Sequence, residues 1–263
     1  MTNEAFEKTI FDLKQTFCQT VLTPTNKAGW PFIIGFAIVS IILGMISGVL
    51  GFVGLVLTLW CVYFFRDPVR MVPQGLDLVI SPADGRVTAV DEHVPLPREL
   101  RATPNLIPLT SESVETAPGN EDGQFTRVSV FLSVFDVHVN RVPISGTIKK
   151  VAYRPGLFLN AGSERASIEN ERSAVLMETA NGQDIGFVQI AGLVARRIIN
   201  ELREGDAVTA GHRYGLIRFG SRADIYIPSH VAVRVSVGQR VLGGETILAD
   251  LAQSGPSVTT TPV

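Results

Sequence analysis

Cysteine is scarce in this chain. Cys18 and Cys61 are the only two among 263 residues, they share no C-x-x-C spacing, and they support neither a disulfide framework nor a zinc site. Strong net charge is missing too: 23 Lys and Arg face 25 Asp and Glu, a net charge of −2. There is therefore no general basic field of the kind that attracts nucleic acid. The most informative absence is local. From Trp30 to Phe65 the chain runs 36 residues without a single Asp, Glu, Lys or Arg.

That stretch is too long for an ordinary buried helix, since one bilayer crossing takes about 20 apolar residues. Gly44, Gly48, Gly51 and Gly54 lie near its middle, which fits two short spans of roughly 17 residues joined by a tight turn. A cleaved signal peptide fits poorly, because the run is too long, begins too late and lacks a small-residue cleavage site. Lys27 precedes the run and Arg66 and Arg70 follow it. Positive charge at both ends places both on the cytoplasmic side, and the domain that follows with them. Before the anchor, residues 1–29 carry Phe6, Ile10, Leu13, Phe17 and Val21 at helical steps. This reads as an amphipathic helix, either packed beside the anchor, lying at the lipid interface or facing an ordinary core.

Residues 66–251 have a different texture, with short runs of Val, Ile, Phe and Thr punctuated by Gly and Pro. These are strands and turns, and the fold expected is mainly β, a barrel or sandwich. Glu164 to Arg172 is the one short helix expected within it. The octapeptide Glu204–Gly211 repeats weakly at Val237–Gly244 in its Gly and Val positions. Such G-x-x-V-x-x-G turns resemble those of biotinyl and lipoyl carriers and point to a barrel-sandwich architecture. A polar insertion at 93–124 and a Thr- and Pro-rich tail at 252–263 read as mobile surface segments.

Three short motifs stand out: Ser81-Pro82-Ala83-Asp84-Gly85, Asp136-Val137-His138-Val139-Asn140-Arg141, and Phe219-Gly220-Ser221-Arg222. Alone, each is ordinary: a Gly-Ser pair after a strand is usually a turn, and a histidine between valines is usually a packing residue. Together, and with Phe65-Arg66-Asp67-Pro68, Glu169-Asn170-Glu171-Arg172, the run Gln189–Ile198 and the run Arg213–Arg222, they resemble the phosphatidylserine decarboxylase proenzymes, in particular the short bacterial form.

The resemblance implies a self-processing, pyruvoyl-dependent lyase of phospholipid synthesis at a bacterial inner membrane. The Ser221 hydroxyl would attack the carbonyl of Gly220, giving chains 1–220 and 221–263 that stay together as a heterodimer. Ser221 would become the pyruvoyl group that forms a Schiff base with phosphatidylserine, so neither pyridoxal phosphate nor a metal is expected. A serine nucleophile needs a base and a group to orient it, and the resemblance gives these roles to His138 and Asp84. Some longer relatives carry a second histidine where this chain has Arg141. Arg66, Arg86, Arg141 and Arg222 are candidates for the lipid phosphate or substrate carboxylate. Self-association of the cleaved pair is left open.

Two rival functions share parts of this pattern. A membrane-tethered carrier module would need a modifiable lysine at a hairpin tip, and after Lys27 the only lysines are Lys149 and Lys150, without the flanks such carriers display. A pyruvoyl enzyme acting on a free amino acid would share the cut but has no use for an anchor directly before its domain.

Overall fold

The computed structural model describes residues 23–101, 124–163, 165–193, 197–218 and 220–255. It divides into two compact units, residues 1–70 and 71–263. The amphipathic segment up to residue 22, residues 102–123 of the insertion and the last eight residues lie outside the described residues.

In the first unit the uncharged run forms two helices, α1 (Trp30–Ile46) and α2 (Gly48–Phe64). Pro31 sits in the first turn of α1, where its missing N–H interrupts no helical bond. Ser47 is extended, with φ −155° and ψ 131°, and separates the two. The helices then fold back on each other because small residues face one another. A Cβ on Gly51 would come within 2.6 Å of Gly44 Cα, and one on Gly54 within 2.8 Å of Ser40. Ser40 Oγ donates to the Gly51 carbonyl at 3.1 Å. At the open end Thr25 and Arg66 form an antiparallel bridge, and the Asn26 amide donates to the Phe65 carbonyl at 2.8 Å. With the 3-10 turn Lys27–Gly29, the first helix spans 20 residues and contains an 18-residue window of mean hydropathy 2.2, long and apolar enough to cross a membrane; Gly48–Phe64 is shorter.

The second unit is built from strands. An eight-stranded antiparallel sheet has the order β13-β2-β3-β11-β7-β6-β5-β9. Its strands are β2 (Gly85–Val94), β3 (Phe125–Leu132), β5 (Gly146–Arg154), β6 (Arg172–Thr179), β7 (Asp184–Ile190), β9 (Ala207–Val208), β11 (Ser221–Pro228) and β13 (Arg240–Val241). Two three-stranded sheets complete the unit. One joins β1 (Leu78–Ile80), β14 (Ile247–Ser254) and β12 (Val231–Val233); the other joins β4 (Val139–Arg141), β10 (Arg213–Ile217) and β8 (Ile198–Asn200). The unit is mainly β and sandwich-like, as expected.

Period-2 alternation assigns the two faces of the large sheet. Val128, Val130, Val175, Met177, Ile185, Phe187, Ile225 and Ile227 point into the main core with residues of both small sheets. Phe125, Ala174, Leu176, Val188, Ile190 and Tyr226 point to the other face, where Leu96 and Leu100 cover them. The start of the 93–124 insertion is therefore packed: β2 continues through Val94, and Arg172 pairs with Glu99. At the other boundary, β14 extends to Ser254. Between Glu164 and Arg172, the described helix is the single turn α3 (Ala166–Glu169).

The weak repeat has a structural meaning. Gly205, Gly211, Gly238 and Gly244 all have positive φ, the left-handed region that favours glycine. The strands within the two repeats, β9 and β13, are the two edges of the large sheet. A second repeat follows from this, Pro82-Ala83-Asp84-Gly85 against Pro143-Ile144-Ser145-Gly146. Its halves interlock: the Ile80 amide donates to the Pro143 carbonyl, and the Arg141 amide to that of Pro82. Asp84 Oδ1 accepts the Gly243 amide at 2.8 Å just as Ser145 Oγ accepts that of Ala210 at 3.0 Å. The Pro-Ala-Asp-Gly motif is thus first of all a strand entry, duplicated across the unit.

Candidate active site

Ser221 begins β11, a strand held on both sides by β3 and β7. Its position is fully buried, and among the described residues its Oγ has no hydrogen-bond partner. A buried hydroxyl without a partner costs about 1–3 kcal/mol, so one retained at such a point is a candidate for chemistry. The residue before it, Gly220, has φ +65°, a conformation that costs an L-residue with a side chain about 1–2 kcal/mol. The backbone therefore enters β11 through a left-handed residue, and the Gly220–Ser221 bond lies at that kink.

His138 lies against Gly220, on the amide that precedes the Gly220–Ser221 bond. It is fully buried, and its Nε2 accepts the Gly220 amide at 3.2 Å. The Nδ1 contact with the Asp136 carbonyl is 2.9 Å. Since that carbonyl only accepts, Nδ1 carries the proton and Nε2 presents its lone pair toward Gly220. Asp136 holds the turn that makes this possible. Its Oδ2 accepts the Ser133 amide and hydroxyl at 2.8 and 2.7 Å, and its Oδ1 accepts from Arg240 at 2.6 Å. Nδ1 thus donates to a main-chain carbonyl two residues upstream, and the Asp84 carboxylate accepts the Gly243 amide.

Gly192 is the residue that a reading of the motifs missed. A Cβ there would stand 2.0 Å from the Gly220 carbonyl oxygen, whereas a Cβ on Gly220 itself would meet nothing within 4 Å. Close approach at the candidate cleavage point is therefore permitted by Gly192, and Gly220 contributes its φ. The only signal in the sequence was a glycine breaking the apolar run Ile190–Val194. The loop that carries Gly192 is pinned by Asn170, whose Nδ2 donates to the Ala191 carbonyl at 2.7 Å. A second buried link lies beside His138, where Gln189 Nε2 donates to Asn140 Oδ1 at 2.9 Å and to the Ile199 carbonyl at 3.1 Å.

The candidate arginines are dispersed. Arg222 is buried in a bidentate pair with Asp224, at 2.6 and 2.7 Å. Arg141 is buried and donates to the Gly211 carbonyl at 3.0 Å. Arg86 is exposed and donates to the Gly238 carbonyl at 2.9 Å. In the first unit, the Arg66 guanidinium sits 3.8 Å over the Tyr63 ring. Arg222 has a structural task whatever else it does. Arg222→Ala leaves a buried carboxylate without its partner and is expected to lower stability by about 3–5 kcal/mol, read as a lower urea midpoint.

Comparison with known proteins shows the family. The family model described as phosphatidylserine decarboxylase matches residues 57–249, a span that includes Asp84, His138, Gly192 and Ser221. A phosphatidylserine decarboxylase proenzyme of Beijerinckia indica subsp. indica is 48% identical over 238 residues, covering 90% of this chain and 94% of that protein. The chain belongs to the phosphatidylserine decarboxylase family of self-processing carboxy-lyases.

Proposed function

We propose that the chain cuts itself between Gly220 and Ser221 and uses the resulting pyruvoyl terminus to decarboxylate phosphatidylserine to phosphatidylethanolamine. The observation that carries this reading is three features at two adjacent residues: a buried Ser221 Oγ with no partner among the described residues, a left-handed Gly220, and His138 Nε2 accepting the Gly220 amide. The family membership and the 48% identical proenzyme support it.

The chemistry balances from these residues. Ser221 Oγ attacks the Gly220 carbonyl carbon, and the peptide C–N bond gives way to an ester. His138 Nε2 takes the hydroxyl proton as general base once it gives up the Gly220 amide. The ester then loses its Cα proton and eliminates the Gly220 carboxylate, which leaves dehydroalanine at position 221. Water hydrolyses that terminus and ammonia leaves. A ketone at residue 221 fits, because the position is buried and, among the described residues, no donor bonds Ser221 Oγ. When formed, the group supplies an electron sink for the carbon that loses CO2. His138, bonded to the Gly220 amide next to this residue, is the candidate to return a proton to that carbon. Asp84, by way of Gly243, fixes the loop entry beside the site.

The helical pair supports a membrane location. Ile41, Met45, Ile46, Val49 and Phe52 are 67–84% exposed, and each such side chain is worth roughly 1.5–3 kcal/mol when removed from water. A bilayer removes that exposure. The flanking charges of Lys27, Arg66 and Arg70 support a cytoplasmic catalytic unit. The test uses full-length protein in detergent, with carboxyl-labelled phosphatidylserine and carboxyl-labelled free serine as alternative substrates. Labelled CO2 from the lipid alone is expected; release from free serine at an equal rate would favour a soluble amino-acid decarboxylase.

A further inference from the structure

The strand register gathers several loops at one end of the large sheet. Ser221 pairs with the last residue of β3, Arg222 with the last residue of β7, and Ile190 in turn with the first residue of β6. Arg172 pairs with the last residue of β5, and Gly85, the first residue of β2, with Val241. The described residues 133–138, 155–163, 165–171, 191–193 and 242–246, which follow or precede these strand ends, therefore lie in connections at the Ser221 end. Direct bonds tie them together: Asn170 to Ala191, and Arg240 to Asp136.

These loops carry exposed large apolar side chains where soluble loops carry polar ones. Phe135 is 61% exposed, Leu157 54%, Ile168 67%, Leu193 67% and Leu242 38%. Arg197 and Arg218 lie close enough to repel: burial first, and Arg197 second, hold the Arg218 guanidinium below its ordinary pKa. The chain also enters this unit nearby, since the Met71 amide donates to Glu245 Oε1 at 3.2 Å. Glu245 is two residues from Gly243, the partner of Asp84. Only residues 65–70 separate Met71 from the end of α2.

We infer that the loops around Ser221, led by Leu193, Ile168 and Phe135, form a lipid-docking face that presses apolar side chains into an anionic phospholipid surface while the nearby arginines meet its phosphates. An apolar rim accompanied by the guanidinium groups of Arg197 and Arg218 fits a lipid interface and fits a water-soluble substrate poorly. This inference rests on the proposed phospholipid substrate, and it adds that the substrate reaches Ser221 from the membrane plane, without leaving for water.

The test is independent of catalysis. Full-length protein carrying Trp30→Phe and Trp60→Phe is placed in vesicles of phosphatidylcholine and phosphatidylglycerol with spin-labelled acyl chains. Leu193→Trp then reports on the proposed face, and His230→Trp on the far end of β11. Stronger quenching at position 193 than at 230 supports docking; equal quenching, or none at 193, overturns it. A second measurement uses Leu193→Ser with Ile168→Ser. Decarboxylation of vesicle lipid is expected to fall about tenfold, with short-chain monomeric phosphatidylserine turned over within about twofold of the parent rate. Equal losses on both substrates, or no loss on vesicles, would overturn the inference. Protein that docks without cutting itself or releasing CO2 refutes the function alone, and active protein unquenched at 193 refutes docking alone.

Discussion

Ser221→Ala is expected to leave one uncut chain and to remove decarboxylation down to the uncatalysed background, a fall of at least about a million-fold. The size of the effect follows from the double use of one atom. Ser221 Oγ makes the cut, and the same residue becomes the group that draws electrons from the substrate, so no residual mechanism survives its removal. The fold should not suffer. Among the described residues the hydroxyl is buried without a partner, and exchanging it for hydrogen removes an unsatisfied polar group. The variant is expected to melt at or slightly above the wild-type precursor temperature. An inactive variant that had also lost several degrees would instead point to a structural serine.

Gly192→Ala should be nearly as damaging to processing while leaving every candidate catalytic group in place. The new methyl group would need to occupy a point 2.0 Å from the Gly220 oxygen, so the carbonyl must move, and the neighbours that must give are backbone atoms. Displacing a reacting carbon by about 1 Å can cost a hundredfold in rate. Self-cleavage of Gly192→Ala is therefore expected to slow about a hundredfold or more, measured as precursor remaining over time on a denaturing gel. Gly220→Ala offers the contrast. Its Cβ would meet nothing within 4 Å, and only the positive φ opposes it, so a milder slowing is expected. If Gly220→Ala blocked cleavage and Gly192→Ala did not, the assignment of the close contact would be wrong.

Much of this architecture could be read in advance because it rests on one-dimensional signals. The uncharged run, its central glycines and its flanking cations announced two apolar helices, and the change to short β-branched runs announced the sheets. The paired G-x-x-V-x-x-G turns marked what became the two edge strands. Ser221, Gly220 and His138 were legible only through three distant motifs in combination, and the structure places His138 on the amide of Gly220, the residue before Ser221.

What stayed hidden depends on approach in space. Gly192 is 28 residues from Gly220 in sequence, and nothing local says that a carbonyl will press on it. Asp136 looked like the flank of a histidine motif. Its roles, gathering Ser133 and Arg240 and lending its carbonyl to His138 Nδ1, appear only when the turn is closed. Arg222 read as a lipid-binding candidate because arginine suits phosphate, but its neighbour two residues along the same face of β11 is Asp224, and the pair is buried together. The polar stretch from residue 93 looked loose because composition alone does not reveal that Leu96 and Leu100 reach back to cover the large sheet.

The central claim is that Ser221 becomes a ketone, and the intact mass of purified protein tests it most directly. Two chains are expected, ending at Gly220 and starting at residue 221, the smaller about 17 Da lighter than a chain with an N-terminal serine, because ammonia has been lost. That smaller chain should resist stepwise N-terminal sequencing. A single uncut mass at every pH and incubation time, or a small fragment that retains its serine amine, would contradict the account.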